Sequence, residues 1–159
     1  MGSLASIKDY VGRTVDISAY QGVRPVGDVQ LSATLALPGE GGRIVTGPQK
    51  VAQRFLVELL KEVASMRFRP AEGTTFLTEA RVGAFRTHSD VFGAFRRGVA
   101  MAKPLIQRQE LDTDPDDERF VDAVIISIAV IPGEAVITAE LVTRAGRDRT
   151  YIFPLNVPL

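Results

Sequence analysis

The chain contains no cysteine. Disulfides and thiolate metal sites are therefore excluded, and a reducing compartment suits the composition. Neither charge is in excess: Lys+Arg and Asp+Glu each count 19. A dedicated nucleic-acid binder normally carries a basic surplus on one face. The one locally basic run, RAGRDR at 144–149, is interrupted by Asp148 and has no interleaved aromatics for base stacking. No apolar run approaches the roughly 20 residues that a bilayer span needs. The opening MGSLASIKDY lacks the apolar stretch of a signal peptide, so neither a membrane span nor secretion by that route is expected.

Chemistry-bearing motifs are equally scarce. Histidine occurs once, at His88, and its neighbours Thr87, Ser89 and Asp90 suit a helix cap or a surface position. A catalytic triad is assembled in space, so sequence neighbours say nothing for one. The glycines at 39, 41 and 42 precede no GK[ST] and make no phosphate loop. The acidic run ELDTDPDDE at 110–118 lacks the EF-hand spacing and its turn glycine, so a solvated loop is expected. Glu58 and Glu62 sit one helical turn apart on a polar face and are expected to be exposed, unlike the opposed carboxyls of a glycosidase. No catalytic residue, cofactor or metal ligand stands out.

What the sequence does hold is a strong amphipathic helix from about Pro48. Val51, Phe55, Leu59 and Val63 recur every four residues, and Ala52, Leu56 and Leu60 fill the adjoining row. Thr46 is placed to cap it, and Pro48 suits an early helical position. Pro70 disfavours helical geometry at Arg69, which predicts an end near Met66 to Phe68. Gly73 then allows a tight turn, and Thr75 to Arg86 reads as loop or short strand. A second helix is expected from about Ser89, capped by Thr87 or Ser89, with Val91, Phe92, Phe95, Val99 and Ala102 as its apolar stripe. Pro104 should kink or divide it.

The last third reads as β-structure. Phe120 to Ile131 is rich in β-branched residues, and Pro132-Gly133-Glu134 signals a turn. Val136 to Arg144 then alternates, giving an antiparallel hairpin. A third strand, Arg149 to Leu155, follows the turn at 145–148, with Pro154 and Pro158 closing it. Residues 1–46 differ from the rest. Glycines and prolines punctuate them, and strand-like pieces stand at Thr14 to Tyr20 and Val29 to Leu37. These pieces suit either a hairpin on the same domain or an extended arm that pairs with a neighbour. The fold class expected is α+β: two main helices packed on a small C-terminal antiparallel sheet, with an extended N-terminal arm over 1–46 and the α+β domain over 47–159.

The order of these elements carries a resemblance. MRFRPAEGTTF after an amphipathic helix, then a second helix, then DDERFVDAVI leading into a terminal hairpin, resembles the baseplate wedge proteins of contractile-tailed bacteriophages. These are the sheath initiators related to the W-type, lysozyme-like baseplate family. The likeness spans roughly 47–155 and includes the F-x-P-x-x-G corner at Phe68, Pro70 and Gly73. The family's Glu-Pro-Arg signature meets Asp117-Glu118-Arg119 here, so Arg119 matches and the Glu-Pro pair does not. The acidic partner of Arg119 is then either Asp117 or Glu118. The resemblance implies a structural virion protein of the tail baseplate, assembled in the host cytoplasm, with six copies in a ring around the tube. Its partners would be the tail sheath protein, other wedge proteins and tube or hub proteins, without nucleic acid or membrane. Sheath assembly would start by β-strand exchange on the C-terminal sheet. The expected partner-binding residues are Asp117, Glu118 and Arg119 at the joint, and Tyr151, Ile152 and Phe153 on the third strand. The competing expectations are a small lysozyme-like hydrolase of cell-wall glycan and a generic α+β domain that binds a small ligand.

Overall fold

The computed structural model describes residues 12–14, 16, 17, 20, 21, 34, 35 and 44–158. Four two-residue strands come first: β1 (Asp16–Ile17), β2 (Tyr20–Gln21), β3 (Thr34–Leu35) and β4 (Ile44–Val45). β1 pairs antiparallel with β4, and β2 with β3. Among the described residues of the N-terminal segment, the strands thus pair with one another. Most of the Val29 to Leu37 strand expected from sequence lies outside the described residues.

Helix α1 (Gly47–Leu60) begins where the sequence predicts, with Thr46 at the N-cap. Val51, Ala52, Phe55, Leu56 and Leu59 are fully buried. The helix stops about two turns earlier than Pro70 alone suggests. The reason is non-local: Glu62 and Thr74 form a parallel bridge. Thr74 donates its N–H to Lys61 O at 2.7 Å, and its hydroxyl bonds Leu59 O at 2.5 Å. These carbonyls, orphaned at a helix end, are satisfied by the returning chain instead of by further helix. Val63, expected in the buried stripe, is exposed in consequence.

The segment expected as loop or strand forms a short helix, α2 (Phe76–Arg81). Helix α3 (His88–Gln107) starts with a capping box: the Thr87 hydroxyl accepts from Asp90 N, and Asp90 accepts from Thr87 N. Pro104 lies inside α3 without dividing it. Phe92, assigned to the buried stripe from its period, is half exposed, while Val91, Ala94, Phe95, Val99, Ala102 and Ile106 are buried.

A 3₁₀ turn (Asp116–Glu118) leads into a three-stranded antiparallel sheet. Its strands are β5 (Phe120–Ile131), β6 (Glu134–Thr143) and β7 (Gly146–Pro158), in that spatial order. β7 runs straight through Pro154, further than the sequence implies, because an edge strand tolerates proline on its outer side. Helices α1 and α3 pack on one face of the sheet, with α2 beside α3. The core forms where large aromatics meet small sheet residues. Phe55 stacks on Phe120 at 5.4 Å and meets Phe95 edge-on at 6.0 Å, above Ala123, Ala135, Ile137, Ala139 and Leu141. Each such ring contributes on the order of 2 kcal/mol by burial. The α+β class, with helices on a small C-terminal antiparallel sheet, is as expected.

Candidate functional site

Apart from Arg119, the partner-binding residues singled out from sequence fall in two separate places. The first is a carboxylate clasp at the start of α1. The acidic run is not a solvated loop throughout: Asp117 and Glu118 are buried, Glu118 with 1% of its surface exposed. The 3₁₀ turn aims Glu118 at the N-terminus of α1. There its Oε1 accepts from Gly47 N at 3.2 Å and from the Thr46 hydroxyl at 2.9 Å. Its Oε2 accepts from Thr14 N at 3.2 Å and from the Thr14 hydroxyl. Lys50 Nζ stands 3.6 Å from the same oxygen and also donates to the Thr14 hydroxyl. Arg13 completes the group, 2.8 Å from Asp117 Oδ2 and 3.8 Å from Glu118 Oε1.

The clasp favours a charged carboxylate. Burial alone would push the Glu118 pKa up. The bonds from Thr14, Thr46 and Gly47 and the charge of Lys50 outweigh it, so the net shift is downward. A carboxylate at a helix N-terminus is also favoured by the helix dipole. Thr46 therefore does not cap α1 with its own side chain; its hydroxyl serves Glu118 and lies 2.9 Å from Thr14 O. Sequence reasoning missed Arg13, Thr14, Thr46 and Lys50 as members of this cluster. Lys50 lies outside the apolar stripe of α1, yet it is buried.

Arg119 does not join the clasp. Its Nη2 donates to Leu111 O at 2.6 Å and approaches Asp112 Oδ1 at 3.5 Å. Neither Asp117 nor Glu118 is its partner: Asp117 is taken by Arg13, and Glu118 by Thr14, Thr46 and Lys50. Arg119 instead ties the loop after α3 to the root of β5. Glu110 supports the same joint by accepting from Phe120 N at 2.6 Å, and Gln107 donates to Phe120 O at 3.1 Å.

The second place is the outer edge of β7, where Tyr151, Ile152 and Phe153 pair with Leu141, Glu140 and Ala139 of β6. Among the described residues no strand pairs with the other side of β7 or of β5. The register fixes what the β7 edge offers. Pro154 stands opposite Thr138 and Pro158 opposite Glu134. A proline has no N–H for β6, so these are the pairs whose backbone faces away from it. Alternation then turns Ile152 and Asn156 outward as well, and these two retain their N–H donors. The β5 edge is less regular, with register shifts between Phe120 and Asp122 and between Ile125 and Ser127; such bulges twist an edge away from further pairing.

Glu58 and Glu62, the carboxyls weighed for hydrolysis, are not the exposed pair expected. Glu58 is buried, 2.5 Å from Lys61 Nζ, with Gln109 Nε2 donating at 3.3 Å. Glu62 is held by Arg81 at 2.5 Å and by the Thr78 hydroxyl at 3.1 Å. Among the described residues, no group of three His, Cys, Asp or Glu could hold a metal ion, and no helix is long and apolar enough to cross a membrane. Comparison with known proteins gives no match among family models, curated sequences or solved structures.

Proposed function

We propose that this chain is a structural component of a contractile-tail baseplate, a wedge and sheath-initiator-like protein that recruits other chains by β-strand addition. The observation that supports the reading best is the outer edge of β7: a strand thirteen residues long, paired on one side only among the described residues, with outward donors at Ile152 and Asn156. Backbone pairing makes little demand on side-chain identity, which suits a template that starts a polymer of a different protein. On this reading six copies surround the tail tube in the virion. The sheath subunit supplies the added strand, and other wedge, tube or hub proteins meet the remaining surface. The resemblance in residues 47–155 gives the reading its biological setting.

The test is Ile152→Pro. Ile152 faces outward in the ladder, so the substitution removes an edge donor and leaves the β6–β7 bonds in place. The variant is expected to fold, judged by an unchanged circular dichroism spectrum, and to yield tails with tube but no sheath in electron micrographs. Normally sheathed tails from a folded variant would move the initiating edge elsewhere. Lysis of purified peptidoglycan that is abolished by Glu58→Gln would replace the structural reading with a hydrolase.

A further inference from the structure

Phe68 is 89% exposed, the most exposed large apolar side chain among the described residues. It does not ride on a loose loop. Ala64 N donates to Pro70 O at 2.9 Å, Arg69 N to Met66 O at 3.2 Å and Glu72 N to Arg69 O at 3.1 Å. The Glu62–Thr74 bridge closes the base. The loop is thus organised in advance to hold an aromatic ring in water, with Met66 43% exposed beside it. Arg67 lies 5.6 Å over the Phe68 ring and has no carboxylate within ion-pair distance among the described residues. An unpaired guanidinium on an exposed ring is the composition of an interface anchor.

A second, oppositely charged loop stands at the same end of the molecule. Glu72 lies 3.7 Å from Arg108, and Gln109 bonds Glu58, so the aromatic loop is fastened to the end of α3. The acidic segment follows immediately. It too is fixed in shape: Leu111 N donates to Asp114 Oδ2 at 2.9 Å, and Asp114 N to Leu111 O at 3.0 Å. At its tip Leu111 is 63% exposed, and the Asp112 side chain is fully so. One end of the chain therefore carries an apolar-and-basic loop beside an apolar-and-acidic one.

We propose that this end is a self-complementary surface through which two copies of the chain pair about a two-fold axis. The rotation sets Arg67 and Phe68 of each copy against Leu111 and Asp112 of the other, so that charge and apolar contacts are both made twice. The pairing uses neither sheet edge and is independent of strand addition; it describes the free chain, because six copies related by rotation about a tube share no two-fold axis.

The test is sedimentation of the full chain over rising concentration at low and high salt. A monomer–dimer equilibrium that weakens with salt is expected. Phe68→Ala should raise the dimer dissociation constant by about 30-fold, the effect of removing a central anchor. Arg67→Glu and Asp112→Arg should each raise it about tenfold by setting like charges together, and the double variant should recover most of the loss. Ile152→Pro should leave the dimer intact, which separates this surface from the β7 edge. A monomer at every concentration would overturn the proposal, as would a dimer indifferent to Phe68→Ala or a double variant no better than the singles. Binding to anionic phosphatidylserine vesicles without self-association would also overturn it and assign the loop to a lipid surface.

Discussion

Glu118→Gln tests the clasp. The side chain is isosteric, so no cavity forms, but the charge is lost and one acceptor oxygen becomes a donor. That new amide faces either the Thr46 hydroxyl and Gly47 N–H or the Thr14 N–H and Lys50. In both orientations a donor meets donors. Lys50, whose side chain is 6% exposed, is then left without its nearest buried countercharge. Removing one member of a buried pair typically costs about 3–5 kcal/mol. For a chain of this length that is a fall in Tm of roughly 10 °C. Urea unfolding with an unchanged m-value measures it directly. Lys50→Met combined with Glu118→Gln should be less destabilised than Glu118→Gln alone, because the stranded ammonium goes with it. The same group sets a pH dependence. Its folded pKa lies below the ordinary value of 4.5, so its contribution is complete above that value and fades as pH falls through the lowered folded one. Wild type should therefore lose more stability than Glu118→Gln on acidification across that window. A Glu118→Gln loss under about 1 kcal/mol, or equal acid sensitivity of the two proteins, would refute the view that the clasp is a dry, charged site.

Gly73→Ala should destabilise by about 3 kcal/mol: its φ is +115°, and a Cβ would stand 2.5 Å from Lys61 O and 2.9 Å from Glu62 O, backbone that cannot yield. Thermal unfolding followed by circular dichroism reads the loss, and a neutral effect would mean that the 61–74 closure is not rigid. Thr87→Ala should cost about 1 kcal/mol through loss of the capping box, with Thr87→Ser close to wild type in the same melt. Arg119→Ala should cost about 2 kcal/mol for its bond to Leu111 O, whereas Arg108→Ala, whose exposed guanidinium lies 3.7 Å from Glu72, should stay within about 0.5 kcal/mol. Equal stability of these two variants in urea would remove Arg119 from its role at the joint.

What was legible in the sequence was local and periodic. The start and buried stripe of α1 follow from the spacing of Val51, Phe55 and Leu59. The β5–β6 hairpin follows from β-branching around Pro132-Gly133. What was not legible depends on residues far apart in the chain. The end of α1 is set by Thr74 returning to Lys61, not by the nearer Pro70. Helix α2 spans only six residues, too few for a 3.6-residue period to declare itself against the aromatic and threonine content. The burial of Glu118 rests on Thr14 and Gly47, 104 and 71 positions away, and a reading by local charge density cannot see such partners. Phe92 has the right period for the core, but α3 turns it toward the rim of β5, where the sheet ends.

The clasp and the β7 edge bear on the proposed assembly in different ways, and this makes the reading divisible. Glu118 pins residues 13 and 14 and residues 46 and 47 to the turn that feeds β5, so the N-terminal segment leaves and re-enters the domain at one fixed point beside the sheet. If that segment reaches a neighbour, its origin is set by the clasp. If the sheath subunit reaches this chain, its docking is set by the outward backbone of Ile152 and Asn156. Glu118→Gln at a temperature where the domain stays folded should then loosen contacts made by the segment and spare strand addition at β7. Ile152→Pro should do the reverse. Limited proteolysis before α1, together with sheath recruitment, separates the two. A single variant that abolished both effects while folded would mean that segment and edge form one continuous docking surface.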